Sequence, residues 1–193
     1  MSDGLLNKLV DEYYAGRPNL LISNPALCVF FFACSGSGKT TIRRMLVDKL
    51  KATYVCNDEI RELLAKYPEA VEQGIELKTI VAETVEKIFR ESPNRLIIFD
   101  NNIIQYYMYA DSYLNVARAK NRPVFIIGLE ASEDQLADRI RARGVNVTQI
   151  LSELPGQLEA YKKATQDVKP DLSLNPNSDI QGLIKYIRDS QVK

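Results

Sequence analysis

Residues 28–41 read Cys28-Val29-Phe30-Phe31-Phe32-Ala33-Cys34-Ser35-Gly36-Ser37-Gly38-Lys39-Thr40-Thr41. The first seven are nearly all apolar, as expected of a strand buried on both faces of a parallel sheet. A Gly/Ser loop follows, and a helical pattern runs from about 39 to 51 with Ile42, Met45, Leu46 and Leu50 on its inner side. The junction matches the phosphate-binding pattern G-x-x-x-x-G-K-[ST], with Ala33 standing at the first glycine. Gly36 and Gly38 permit the turn that aims successive backbone N–H groups at a phosphate. The helix beginning at Lys39 adds its positive dipole end to the same pocket. Ser35, Gly36, Ser37, Gly38, Lys39, Thr40 and Thr41 are therefore the candidate nucleotide-binding residues, and ATP is the expected nucleotide. Lys39 suits the β- and γ-phosphates, and the Thr40 hydroxyl suits Mg²⁺.

Working outward, short apolar runs alternate with helical patterns. Thr53–Cys56, Leu96–Phe99, Val124–Leu129 and Leu172–Leu174 read as further strands. Helices are expected over 58–67 (stopped by Pro68), over 77–88, over 103–120 and from a Ser132/Gln135 capping box to Arg143. A helical pair split by Pro155-Gly156 is expected over 147–164, and a closing helix over 178–189. Strands separated by helices in this way form βαβ units, so the fold class is α/β, a parallel sheet with helices on both faces. Residues 1–26 are expected to be an N-terminal helix and linker, and 27–193 one domain. The apolar spacing of Leu5, Leu6, Leu9, Val10, Tyr13 and Tyr14 favours a helix docked on that domain over one that binds a partner.

Composition narrows the chemistry. The chain has 193 residues, with 25 Lys plus Arg against 25 Asp plus Glu and no histidine. Zero net charge argues against a long duplex-DNA footprint. Without histidine there is no Ser-His-Asp triad, and the usual general base and zinc ligand are gone. Cys28, Cys34 and Cys56 lack metal or redox spacing, which suits a reduced, cytoplasmic protein. No secretory signal pattern and no membrane-spanning run is visible.

With the nucleotide accounted for, other residues must choose the reaction. The Asn-Lys-x-Asp element of guanine-specific proteins does not follow the fourth strand, where Ala131-Ser132-Glu133-Asp134 stands instead. Asn57-Asp58-Glu59-Ile60-Arg61 stands at the end of strand two. In a doubly wound sheet that end faces the same crevice as the phosphate loop. Asp58 is thus the candidate base for an acceptor hydroxyl, a task that falls to a carboxylate when histidine is absent. Arg61, three residues on, suits an acceptor phosphate or a pair with Asp58. A helix N-cap at Asn57 or Asp58 is the plain competing explanation.

Asp100, after Leu96-Ile97-Ile98-Phe99, has the pattern of a Walker B acid and is the second candidate metal ligand. Asn102 is a candidate substrate ligand, with a turn as its equal competitor. Arg139 and Arg143 share a helical face and suit charge stabilisation of a transferring phosphoryl group. They also suit the dipole of the helix end that they occupy. The segment after them, about 144–164, is the candidate lid. Tyr106, Tyr107, Tyr109 and Tyr113 suit ordinary packing more than base stacking.

These residues resemble the P-loop kinases of the polynucleotide kinase and zeta toxin type, a group of small AAA-type ATP-binding kinases. The likeness rests on the Cys34–Thr41 loop, Asn57–Arg61, Phe99-Asp100-Asn101-Asn102 and the Arg139…Arg143 pair, and it spans about residues 27–187. It implies a three-layer P-loop NTPase fold whose five parallel strands run in the order 2-3-1-4-5, with a helical lid. It also implies that Asp58 activates the acceptor hydroxyl. Asn101-Asn102-Ile103 departs from the Asp-Asn-Thr-Asn stretch common in that group, which leaves the acceptor open between a small molecule and a nucleic-acid end. The expectation is an ATP- and Mg²⁺-dependent kinase. Its rivals are a nucleoside or nucleotide kinase and an ATP-binding regulatory module or ATPase that transfers nothing.

Overall fold

The computed structural model describes residues 2–15, 17, 27–91, 95–100, 113–175 and 178–190. Along the chain these form α1 (Ser2–Ala15), β1 (Cys28–Ala33), α2 (Lys39–Leu50), β2 (Thr53–Cys56), α3 (Asn57–Leu64), α4 (Pro68–Glu72) and α5 (Leu77–Glu91). There follow β3 (Ile97–Asp100), α6 (Leu114–Ala119), β4 (Val124–Leu129), α7 (Glu133–Arg143), α8 (Val147–Asp167), β5 (Leu172–Leu174) and α9 (Ile180–Ser190). The five strands are parallel, as the sequence predicts, and lie in the order β2-β3-β1-β4-β5 that the family resemblance implies.

The near-continuous apolar run of β1 is explained by its central place, with β3 on one side and β4 on the other. All six of its residues are buried. Alternate side chains serve opposite layers, as the pleat requires. Cys28, Phe30 and Phe32 join a core that includes residues of α1, α3, α5, α7 and α8. Val29, Phe31 and Ala33 join a second core with Ile42, Leu46 and Leu50 of α2 and Leu183 and Ile187 of α9. Phe30 and its register partner Phe99 stack with ring centroids 4.4 Å apart.

Several local expectations need correction. Pro68 does not simply stop a helix: α3 ends at Leu64, and Pro68 opens α4 at a position where its missing N–H costs nothing. Asp100 is the last residue of β3 rather than the residue after it. The split expected at Pro155-Gly156 does not occur, and α8 runs unbroken through Pro155 for 21 residues. Tertiary packing overrides the local signal there, since Leu154, Gln157 and Ala164 are all buried along one side of the helix. Of the helix expected over 103–120, residues 114–119 are helical, and Asn101, Asn102, Tyr106, Tyr107 and Tyr109 lie outside the described residues. The capping box of α7 forms both of its reciprocal bonds, and Gly144 ends the helix at φ 70°.

The N-terminal helix is docked. Leu9, Val10 and Tyr13 are buried in the core that also takes in α3 and α5. The Tyr13 hydroxyl accepts the Cys56 backbone N–H at 2.8 Å, which ties α1 to the carboxyl end of β2. No helix of the described residues is long and apolar enough to cross a membrane.

Candidate active site

The loop between β1 and α2 has the backbone that its glycines allow. Gly36 and Gly38 sit at φ 80° and 92°, in the left-handed region that favours glycine. A Cβ at Gly36 would come within 2.8 Å of the Leu136 carbonyl oxygen and 3.2 Å of Ile140, so the loop also lies hard against α7. Gly38 caps α2, and the N–H groups of Lys39 and Thr40 have no intrahelical partner, whereas those of Thr41 and Ile42 both donate to the Gly38 carbonyl, at 3.0 and 3.1 Å. That turn faces outward: Thr40 and Thr41 are exposed and Lys39 is half-buried. The Ser37 hydroxyl is buried and makes no hydrogen bond among the described residues.

Lys39 Nζ donates to Asp100 Oδ1 at 2.7 Å. One helical turn beyond Lys39, Arg43 brings its Nε to 3.0 Å from Asp100 Oδ2 and its Nη1 to 2.7 Å from Glu59 Oε1. Glu59 Oε2 in turn meets Arg17 Nη2 at 2.8 Å and accepts from the Tyr54 hydroxyl at 3.1 Å. The result is an alternating chain of charge, Lys39–Asp100–Arg43–Glu59–Arg17, joining the start of α2, β3, α3 and Arg17, two residues past α1. The Arg17 guanidinium lies 3.8 Å and 4.0 Å from the ring centroids of Tyr13 and Tyr54. Burial works against the charge of Arg43, but its hydrogen bond to Glu59 and the field of Asp100 prevail, and its pKa is raised. Burial likewise opposes ionisation of Glu59, yet the hydrogen bonds from Arg43 and Arg17 hold its carboxyl below the ordinary value.

Asp58 is the second residue of α3, and its side chain is exposed. Neither it nor Asn57 is the N-cap, a position held by Cys56 with no side-chain bond. Asp58 Oδ1 pairs with Arg61 Nη1 at 2.7 Å, in a contact with both partners more than half exposed. β2 is two strands from β1, so the two strands lie about 10 Å apart, and the start of α3 and the phosphate loop leave the sheet at the same carboxyl edge.

Arg139 reaches the loop, donating to the Gly36 carbonyl at 3.3 Å. Arg143, one turn on, is exposed at the end of α7. The segment expected as a lid is bonded to the loop as well: Gln157 of α8 accepts the Ser35 backbone N–H at 2.7 Å. The three cysteines are free and buried, and burial pushes the Cys34 thiol up to about 11, so it remains protonated.

Among the described residues no cluster of three or more acidic, cysteine or histidine side chains could hold a metal by itself. Mg²⁺ in nucleotide sites is typically held by one or two protein oxygens together with phosphates and water. Thr40 and Asp100 supply oxygen donors of that kind, and the buried Asp100 Oδ2 has the Arg43 ion pair at 3.0 Å but no hydrogen bond among the described residues. The donor set therefore fits the ion.

Sequence reading missed Arg43, Glu59, Arg17 and Gln157. Arg43 carried one legible signal: it lies at i+4 from Lys39 and so on the same face of α2. Glu59 looked like one more acid in the first turn of a helix. Gln157 and Arg17 make contacts whose distance along the chain leaves no local trace.

Residues 29–164 match the family described as an AAA domain. No curated protein matches the chain. Among solved structures, a proposed kinase from Chloroflexus aurantiacus shares 16% identity at a TM-score of 0.60, over 88% of this chain and 97% of that one. Shikimate kinase from Acinetobacter baumannii, in complex with shikimate, shares 17% identity at 0.54, over 89% and 97%. Deoxyadenosine kinase from M. mycoides, with bound dATP, shares 18% identity at 0.52, over 86% and 100%. At such identities the likeness is one of fold, that of the P-loop NTPases.

Proposed function

The chain belongs to the AAA domain family, and from that membership we propose that it is an ATP-dependent kinase that transfers the γ-phosphoryl group to an alcohol. The observation that carries this reading is the Lys39–Asp100 pair at 2.7 Å, set beside a glycine loop with an exposed carboxylate, Asp58, on the same edge of the sheet. Binding alone would not call for that carboxylate.

In the proposed reaction the loop Ser35–Thr41, through the amides beyond Gly36, and the Lys39 ammonium hold the phosphates. Lys39 leaves Asp100 for the nucleotide, while Arg43 keeps its own hold on the Asp100 carboxylate. Thr40 and Asp100 would hold Mg²⁺, which when bound offsets the charge of the phosphate oxygens. Asp58 takes the proton of the acceptor hydroxyl as its oxygen forms a bond to the γ-phosphorus. The bond from that phosphorus to the β-phosphate oxygen breaks, and ADP leaves with the electron pair. Arg139, and Arg143 one turn further along α7, offset the charge of the phosphoryl group in flight. Arg61 orients Asp58 in the free protein and binds an anionic acceptor once that pair opens. The segment 144–164, which includes most of α8, closes over the reacting groups.

The narrower reading is a kinase of the polynucleotide kinase and zeta toxin type, acting on a hydroxyl of a small molecule or of a nucleic-acid end. It is supported by Asn57–Arg61 after β2 and by Phe99-Asp100-Asn101-Asn102, with Asn102 as the acceptor ligand. The balanced charge of the chain favours a small or short acceptor over a duplex. Free, buried cysteines suit a reducing compartment such as the cytoplasm.

A screen with γ-labelled ATP tests the proposal. Polyols, hydroxy acids, nucleosides and 5′-hydroxyl oligonucleotides are each offered as acceptor. Label appearing in one class, with ADP formed in equal amount, supports a kinase and names the acceptor. ADP formation that no acceptor in the panel alters would make the protein an ATPase or regulatory module instead.

A further inference from the structure

Gln157 is wholly buried, in a helix whose other buried side chains, Leu154 and Ala164, are apolar. Its Oε1 accepts the Ser35 N–H at 2.7 Å, while its Nε2 is buried with no hydrogen-bond partner among the described residues. A buried amide with half of its capacity unused is unfavourable compared with an apolar side chain of the same size. The feature that an apolar side chain could not supply here is the acceptor. Ser35 is the second residue of the phosphate loop, immediately before the left-handed Gly36. Gly36 is gripped from the other helix of the pair by Leu136, Ile140 and Arg139. The loop is therefore held at two consecutive residues by α7 and α8.

We propose that Gln157 is a positioning residue for nucleotide binding: by accepting the Ser35 N–H it fixes the start of the loop, so that the amides beyond Gly36 are already aimed at the phosphates. It touches no nucleotide itself and acts through Ser35. The inference rests on the reading of the loop as an ATP site and adds a residue far along the chain to it. It also makes α8 part of the binding apparatus before any closure takes place.

The test measures equilibrium ATP affinity and melting temperature on the full chain for four proteins: wild type, Gln157→Met, Gln157→Glu and Ile88→Ala. Methionine keeps the bulk and removes the acceptor. Glutamate keeps an acceptor oxygen, and at mildly acidic pH burial favours its neutral form. Ile88→Ala removes buried bulk from α5, which neither carries nor grips the loop. Gln157→Met is expected to weaken ATP binding about fivefold to tenfold, the scale of one net hydrogen bond. Gln157→Glu should retain most of the affinity at mildly acidic pH. Ile88→Ala should melt lower while its folded fraction binds ATP within about twofold of wild type. The proposal is overturned if Gln157→Met binds ATP as wild type does, or loses no more affinity than Ile88→Ala. If Gln157→Met fails to fold, Gln157→Asn, which withdraws the amide by one methylene, takes its place with the same expected loss, and unchanged affinity overturns the proposal. A wild-type chain that binds no ATP would instead sink the kinase reading, and this inference with it.

Discussion

Lys39 Nζ stands 2.7 Å from Asp100 Oδ1, so the loop lysine is held in the free protein by the acid that ends β3. Arg43 approaches the other oxygen of that carboxylate at 3.0 Å. Asp100, with only 1% of its side chain exposed, is thus balanced by two cations, one of which passes to the nucleotide in the proposed reaction. The second cation makes that exchange feasible, because the carboxylate never faces a buried site alone.

Asp100→Asn should therefore harm both stability and activity. Lys39 loses its counter-charge in a nearly dry site and Arg43 is left with Glu59 alone, at a cost of about 3–5 kcal/mol. Urea unfolding reads the first effect. The second is a fall in phosphoryl transfer that added Mg²⁺ does not repair, read at saturating ATP.

Arg43→Lys is expected to be far from neutral despite keeping the charge. The guanidinium meets Asp100 through Nε and Glu59 through Nη1, and an ammonium cannot span both carboxylates. One charge-assisted bond is lost, worth about 2 kcal/mol. A chemical-denaturation midpoint unchanged from wild type would show that one of the two contacts is idle.

Glu59 sets a pH dependence at the acid end. Its carboxyl is held below the ordinary value of 4.5, because hydrogen bonds from Arg43 and Arg17 outweigh burial. The unfolded chain therefore takes up this proton before the folded one does. The contribution of Glu59 is fully present above pH 4.5 and is lost as pH falls through the lower folded value. The stability gap between wild type and Glu59→Gln should be constant near neutrality and close as pH falls below 4.5. A gap that widens on acidification would contradict the charge chain.

Arg139 and Arg143 should separate in kinetics. Arg139 donates to the Gly36 carbonyl at 3.3 Å, whereas Arg143 is exposed at the end of α7. Arg139→Ala is expected to lower kcat about a hundredfold, and Arg143→Ala by less, in steady-state assays with the acceptor that the screen identifies. The reverse order would assign the charge-stabilising role to Arg143.

The sheet was legible because its signals are local. Six consecutive buried residues in β1 can be satisfied only by a central strand, and a Gly-Lys-Thr junction needs a left-handed residue immediately before a helix. The failures share one cause. Pro155 signals a break, but the packing of Leu154, Gln157 and Ala164 carries α8 straight through it. The charge chain escaped because Arg43, Glu59 and Arg17 look like ordinary helix and linker charges until the fold brings them to Asp100. Asp58 was legible as a candidate since strand ends share an edge, whereas its pairing with Arg61 follows from their spacing of three in α3.

The claim on which the account turns is that Asp58 takes the proton of an acceptor hydroxyl. It is tested most directly by single-turnover phosphoryl transfer with Asp58→Asn, at saturating ATP and with ATP affinity measured alongside. The account predicts near-normal ATP binding with transfer slowed at least a hundredfold, within the range that a positioned general base contributes. Transfer at the wild-type rate would contradict it.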